Sequence, residues 1–262
     1  MATAEAMARA LVTARQQRRG LDGFPGDPPA TMAAAYQIQE AAMALWPDTL
    51  AGWKIGYIAP DRRSPGEPDR LVGPVWEHGC RPAAQHGRAI EVEVFADGFA
   101  AVEAELVVRL EPDLPVRPAG DWTSDQVSAL PQQLLIGMEI ASSPIRDINA
   151  LGPAVIASDF GNNAGLVLGP VLDPPGGGAP YELRCLVDDQ VVGERPSASL
   201  PGGLHHGLAT ALNVLATRGH AVRAGMVFAT GAVTGIHEVG PDQRCRVEVR
   251  GGPAIDVVTR AA

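Results

Sequence analysis

The sequence predicts an α+β protein: a mixed, strongly curved β-sheet core with an N-terminal helical segment. Two Ala-rich helical patterns fill the first 48 residues, and from Leu50 onward the chain breaks into short β-branched runs punctuated by Gly and Pro. A single clear amphipathic helix, 205–217, crosses the second half. The division expected from this is 1–48 as the helical segment and 49–262 as the β-rich domain.

A chain of 262 residues is long enough for a sizeable core, and 46% hydrophobic with 19% charged residues is the composition of a folded, soluble protein. The net charge of -9 argues against nucleic acid or an anionic membrane surface as partner, because no basic stripe is present to neutralise either. No apolar run approaches the roughly 18 residues of a membrane span, and residues 1–19 lack a signal-peptide pattern. Cys80, Cys185 and Cys245 are widely spaced without a metal or redox pattern, and are expected to stay reduced in a cytoplasm.

Residues 3–18 read as a helix, broken by a Gly/Pro stretch at 23–29. A second helix begins at the N-cap Thr31 and runs to about Leu45, with Tyr36, Ile38, Ala42 and Leu45 as a packing stripe. Residues 52–58 form a strand with Lys54 and Gly56 on one face and Trp53, Ile55 and Tyr57 on the other. The charged, proline-containing segment 61–69 is a surface loop that could serve as a lid. A strand follows at 71–76. Residues 90–94 and 101–110 are expected to pair as a hairpin through Ala96-Asp97-Gly98.

Beyond a proline-rich stretch at 113–119, residues 122–130 form a short helix capped by Thr123 or Ser124. The nearly continuous apolar run 134–141 contains one acid, Glu139. Residues 151–160 are helical or irregular and end in the polar patch Ser158-Asp159-Phe160-Gly161-Asn162-Asn163. A strand at 164–169 and a hairpin at 181–194, turning near Asp188-Asp189, lead to helix 205–217. Strand 222–230, a loop at 231–235 and strands at 244–250 and 254–259 complete the chain.

Residues 101–110 carry the chemistry around which the chain is organised. Alternation puts Val102, Ala104, Leu106, Val108 and Leu110 on a core-facing side and Glu103 and Glu105 on the other, about 7 Å apart along the strand. Two carboxylates that close in a buried setting need a counter-ion, and an oxygen-liganded divalent cation is one. An amphipathic edge strand with both acids in water has the same pattern, and Glu91 and Glu93 repeat the spacing, so spacing alone does not choose. Glu139 must be exposed, protonated or bound to a cation, which makes it a third candidate ligand.

Lys54 is the one lysine among 21 basic residues. In a chain that otherwise uses Arg, this position either calls for a point-like ammonium whose pKa drops on burial and suits proton transfer, or is an accident of codon bias. Gly-rich phosphate loops and nucleophile elbows are absent; residues 175–178 lack the strand-to-helix context and the lysine. His205 and His206, at a helix start, read as solvated or capping residues, and the histidine spacing is not that of a zinc site.

Several segments, taken in order, resemble the 2-keto-4-pentenoate hydratases of the fumarylacetoacetate hydrolase superfamily. They are Ala35-Tyr36-Gln37-Ile38-Gln39, Gly52-Trp53-Lys54-Ile55-Gly56, Val102-Glu103-Ala104-Glu105-Leu106, Glu139 with its following turn, Gly165-Leu166-Val167-Leu168-Gly169, and residues 223–231. The resemblance implies a fumarylacetoacetate-hydrolase-like fold and Mg2+ or Mn2+ held by Glu103, Glu105 and Glu139, with Glu91 and Glu93 outside the motif. It also implies Lys54 as acid/base, Asp159 as a second polar group over the substrate, and Asn162, Thr230 and Gly231 against the substrate.

The activity implied is a cytoplasmic hydro-lyase of aromatic catabolism, a homo-oligomer adding water to a 2-hydroxy-2,4-dienoate or 2-keto-4-enoate. A decarboxylase or carbon–carbon hydrolase of the same superfamily, and a non-catalytic metal-dependent 2-oxo-acid binder, are the alternatives. The sequence departs from the family at Ile140-Ala141-Ser142-Ser143, which lacks an aspartate, at Leu71-Val72-Gly73-Pro74, and at His206, where a proline is usual.

Overall fold

The computed structural model describes residues 2–84, 88–118, 120, 122–174 and 176–262. Ala119, at the end of the proline-rich stretch, and Pro175, at the start of the glycine run, lie outside the described residues. The N-terminal helices are α1 (Ala4–Gln16) and α2 (Met32–Leu45), each opened by a threonine whose hydroxyl accepts a backbone N–H, Thr3 from Ala6 and Thr31 from Ala34, both at 3.2 Å. Their apolar faces share one core with Phe99, Ala101, Ala141, Ile145 and Phe160. The helical segment is thereby seated on the sheet.

Two sheets follow. Their strands are β1 (Leu50–Tyr57), β2 (Arg70–Trp76), β3 (Cys80–Pro82), β4 (Ile90–Val94), β5 (Phe99–Leu110), β6 (Gln132–Ser143), β7 (Asn163–Val171), β8 (Glu182–Val187), β9 (Gln190–Pro196), β10 (Val227–Glu238), β11 (Arg244–Val249) and β12 (Ala254–Ala261). Seven are ordered β2-β1-β10-β5-β6-β7-β3 and five are ordered β4-β12-β11-β8-β9. The larger sheet curls until β2 touches β7, which makes a half-barrel with a concave inner face. Val75, Val107, Leu135, Leu166, Val227 and Ala229 line part of that face.

The convex face is covered twice. Val102, Ala104 and Leu106 of β5 pack with Leu183, Cys185, Cys245 and Val247 of the smaller sheet, while Trp53, Ile55 and Val108 pack under α6 (Leu204–Thr217). Each fully buried Leu, Ile, Val or Phe here contributes about 1.5–3 kcal/mol. The described residues also include three short α-helices, α3 (Ser124–Ser128), α4 (Ile148–Leu151) and α5 (Pro153–Ser158). Thr123 opens α3 with a capping box.

Two expected elements differ. Residues 90–94 and 101–110 do not pair with each other: β4 lies parallel to β12 in the smaller sheet, whereas β5 is central in the larger one. The chain changes sheets at residues 96–98, because Val92 and Val94 are needed in the inter-sheet core. Residues 231–235 are not a loop either. They continue β10 against β5 through two register shifts, with Gly231 (φ 115°) and Gly235 (φ 101°) supplying the backbone that L side chains rarely adopt. The hairpin at Asp188-Asp189 forms as expected, with φ of 48° and 63°.

Candidate metal and proton-transfer site

β5 and β6 are antiparallel neighbours in which Glu103 stands directly opposite Glu139 and Glu105 opposite Gly137. Directly opposed residues share a face, so all three acids point into the half-barrel. Their carboxylate oxygens lie within 4.8 Å of one another. Both strands are interior to the sheet, and Glu105 and Glu139 are fully inaccessible, with Glu103 4% exposed. The water-facing edge-strand alternative for Glu103 and Glu105 is thereby overturned. Glu91 and Glu93 do face solvent, paired with Arg260 at 2.8 Å and Arg18 at 2.7 Å.

β1 brings Lys54 to the same face, with Nζ 3.3 Å from Glu139 Oε1 and 3.3 Å from Asn162 Oδ1. Asn163 Nδ2 donates to the same Glu139 oxygen at 2.9 Å, and the Gly231 N–H donates to Glu105 Oε2 at 2.9 Å. Among the described residues, Glu105 Oε1 and Glu139 Oε2 are left buried without a partner. A buried carboxylate oxygen without a partner is costly, so these two atoms mark where a ligand belongs.

With all three carboxylates ionised, the one ammonium would leave two negative charges in the core. A dication would cancel them, and an all-oxygen donor set suits Mg2+, Mn2+ or Ca2+. A 4.8 Å spread of donors can be bridged by metal–oxygen distances of about 2.0–2.6 Å. The residues present therefore fit a hard divalent cation.

The electrostatics follow from crowding. Burial pushes Glu103 up to about 7, Lys54 pulls it back and Glu139 adds to the rise. Glu105 is raised well above its ordinary value by burial, then by Glu139 and Glu103, against the Gly231 N–H and Lys54. The expected fall in the Lys54 pKa does not occur in the metal-free chain. Burial does push it down, but Glu139, Glu103 and Glu105 together push it up further, so the ammonium is raised.

Asp159 is buried beside the site but turned onto other partners: Arg15 Nε reaches Oδ1 at 2.6 Å, Arg15 NH2 reaches Oδ2 at 2.7 Å, and Ser143 Oγ donates to Oδ2 at 2.6 Å. Thr230 Oγ1 donates to the Leu106 carbonyl at 2.8 Å, inside the sheet. His206 pairs with Asp69 at 3.0 Å and His205 approaches Gln132 at 3.5 Å; neither contacts the acids. A cavity of about 670 Å3 borders the Phe160–Asn163 turn and is walled by Arg15, Phe160, Asn163, Trp46 and Trp76; Lys54 and the three glutamates are not in its lining.

Arg15, Ser143 and Asn163 are the residues sequence reasoning missed. Arg15 had a readable signal, since it continues the buried stripe Met7, Leu11 at the next i+4 position, where an arginine needs a buried partner.

No protein-family model matches the chain, and neither does any curated protein sequence. Solved structures do. The chain is similar to 4-oxalocrotonate decarboxylase from Pseudomonas putida G7, complexed with magnesium and adipate, at TM-score 0.80 and 18% identity over 98% of this chain and 97% of that one. It is similar to fumarylpyruvate hydrolase from Pseudomonas aeruginosa, in complex with Mn2+ and pyruvate, at TM-score 0.57 and 16% identity over 80% and 89%. A third is 2-hydroxyhepta-2,4-diene-1,7-dioate isomerase from Mycobacterium marinum, at TM-score 0.53 and 14% identity over 82% and 77%. The likeness is one of fold, which is fumarylacetoacetate-hydrolase-like.

Proposed function

We propose that the protein is a metal-dependent hydro-lyase that adds water to a 2-hydroxy-2,4-dienoate or 2-keto-4-enoate, with Glu103, Glu105 and Glu139 as ligands of Mg2+ or Mn2+ and Lys54 as the proton carrier. The observation that carries this reading is the lone lysine of the chain held 3.3 Å from one of three buried acids whose oxygens are incompletely paired. A bound dication would neutralise the acids and polarise the carboxylate and keto oxygens of a 2-oxo acid.

The chain's own residues do the rest. Asn162 and Glu139 fix the Lys54 ammonium, so its proton is delivered from one place. Asn163 and the Gly231 N–H each hold one oxygen of their glutamate and leave the other free. In hydration, the substrate first tautomerises, losing a proton from its 2-hydroxyl (or from C3 of the keto form) and gaining one at C5, which leaves a C3–C4 double bond conjugated with the carbonyl. The hydroxyl of water then joins C4, and the remaining proton arrives at C3, next to the carbonyl. Burial of Lys54 keeps bulk water from competing for that proton.

Decarboxylation is the second reading. It is favoured by the full-length likeness to 4-oxalocrotonate decarboxylase, and loss of carbon dioxide generates an enolate that the same lysine could protonate. Product analysis separates the two by gain of water against loss of carbon dioxide.

The test is deuterium incorporation next to the keto group of 2-oxopentanoate, followed by NMR with Mg2+, with EDTA, and with Lys54→Arg. Exchange is expected to need the metal and to fall by about 10²–10⁴-fold in the variant. No exchange in protein shown to bind both Mg2+ and the acid would overturn the enzyme reading and leave a binding protein.

A further inference from the structure

Phe160, Gly161 and Asn162 follow one another with φ of 55°, 66° and 58°. Side chains other than glycine's rarely adopt this left-handed region, so two of the three residues are strained, and all three are buried. Such a turn persists only where its surroundings over-determine it.

Arg15 provides that constraint from α1. Besides its two contacts to the Asp159 carboxylate, its NH2 donates to the Asp159 carbonyl at 3.1 Å and to the Ser142 carbonyl at 3.2 Å, and its NH1 donates to the Asn163 carbonyl at 3.0 Å. One guanidinium therefore grips the residue before the left-handed turn and the residue after it. The guanidinium also lies over the Phe160 ring, 5.3 Å from its centroid. The two side chains that leave this clamped segment toward the acids are Asn162, on Lys54, and Asn163, on Glu139.

We propose that Arg15 is a positioning residue: through Asp159 it holds the left-handed turn in the one shape that aims Asn162 at Lys54 and Asn163 at Glu139. Asp159 belongs to this clamp, and its two oxygens serve Arg15 and Ser143 instead of a substrate. The catalytic consequence rests on the function proposed above; the geometric claim does not.

The single lysine makes the claim directly testable, because amine acylation within the folded chain reports on Lys54 alone apart from the α-amino group. Protein and Arg15→Ala are labelled side by side with an amine-acylating and a thiol-alkylating reagent, and the sites are read by mass spectrometry. Acylation of Lys54 is expected to rise about tenfold or more as the strained turn relaxes, while the core thiols Cys185 and Cys245 keep their protection.

Methylguanidinium, at non-denaturing concentration and with access through the cavity that Arg15 lines, is expected to restore protection. Mn2+ affinity, measured by calorimetry, is expected to fall on the order of 10–100-fold. Unchanged Lys54 labelling, or labelling that rises in step with the cysteines, would overturn the proposal. If Arg15→Ala does not fold, Ser143→Ala removes one bond to Asp159 without stranding a charge; a several-fold rise in Lys54 labelling then supports the clamp, and none overturns it. Absence of proton exchange in the unaltered protein would defeat the proposed function while leaving the labelling result to stand.

Discussion

Burial makes the ionisation of Glu103 a stability quantity. Its ordinary pKa of 4.5 rises to about 7 in the folded chain, so between those values the folded form binds the proton more tightly than the unfolded form. For this group the metal-free protein is most stable below pH 4.5 and loses stability as pH climbs to about 7, by on the order of 3 kcal/mol at about 1.4 kcal/mol per pH unit. Glu105 is shifted the same way and extends the loss to higher pH. Urea unfolding with EDTA is expected to give a lower midpoint at about pH 8 than at about pH 5; a higher midpoint at pH 8 would contradict this account.

The same residues show what a sequence reveals at this scale. Glu103 and Glu105 were legible as a pair on the face opposite an apolar one, and Glu139 as the one acid in an apolar run. Spacing did not set the pair apart from Glu91 and Glu93, which only the resemblance did, and Lys54 stood out because it is alone. Asn163 was not, since an asparagine in a polar patch reads as turn chemistry, and only the fold shows that its amide meets Glu139.

At the scale of elements, the site depends on how closely the Phe160–Asn162 turn approaches β2. A Cβ on Gly73 would stand 2.1 Å from the Phe160 carbonyl oxygen, and one on Gly161 would stand 2.8 Å from Lys54 Cδ. Backbone cannot yield as a side chain can. Gly73→Ala is therefore expected to cost about 1–3 kcal/mol in denaturant unfolding and to push the turn off Lys54. Gly56→Ala, on neighbouring β1, meets only the flexible end of Leu71 at 3.0 Å and is the control, with a smaller cost. Equal costs would show that the approach to β2 is not the constraint.

Strands and helices were largely readable from alternation, caps and breakers, but their partners were not. The segment 90–110 has every local mark of a hairpin. The choice of different sheets for β4 and β5 comes from a core shared with β8, β11 and β12, long-range burial that no local window contains.

For the whole molecule, the three acids lie where three parts of the chain meet: the β5–β6 ladder, β1, and the turn held by α1 through Arg15. A cation bound there would join these parts in the folded state and nowhere else, because the unfolded chain scatters its ligands. Ligand binding of this kind stabilises by about 2.7 kcal/mol at one hundred times the dissociation constant, which for a chain of this size corresponds to roughly 5–10 °C in Tm. Protons compete for the same oxygens, so the gain must shrink as Glu103 and Glu105 become protonated. Thermal unfolding with saturating Mn2+ against EDTA is expected to show the full rise at about pH 8 and most of it lost at about pH 5, with Glu139→Gln reducing the rise at both. A metal-induced rise that is equal at the two pH values, or that persists in Glu103→Gln/Glu139→Gln, would place the cation away from these acids.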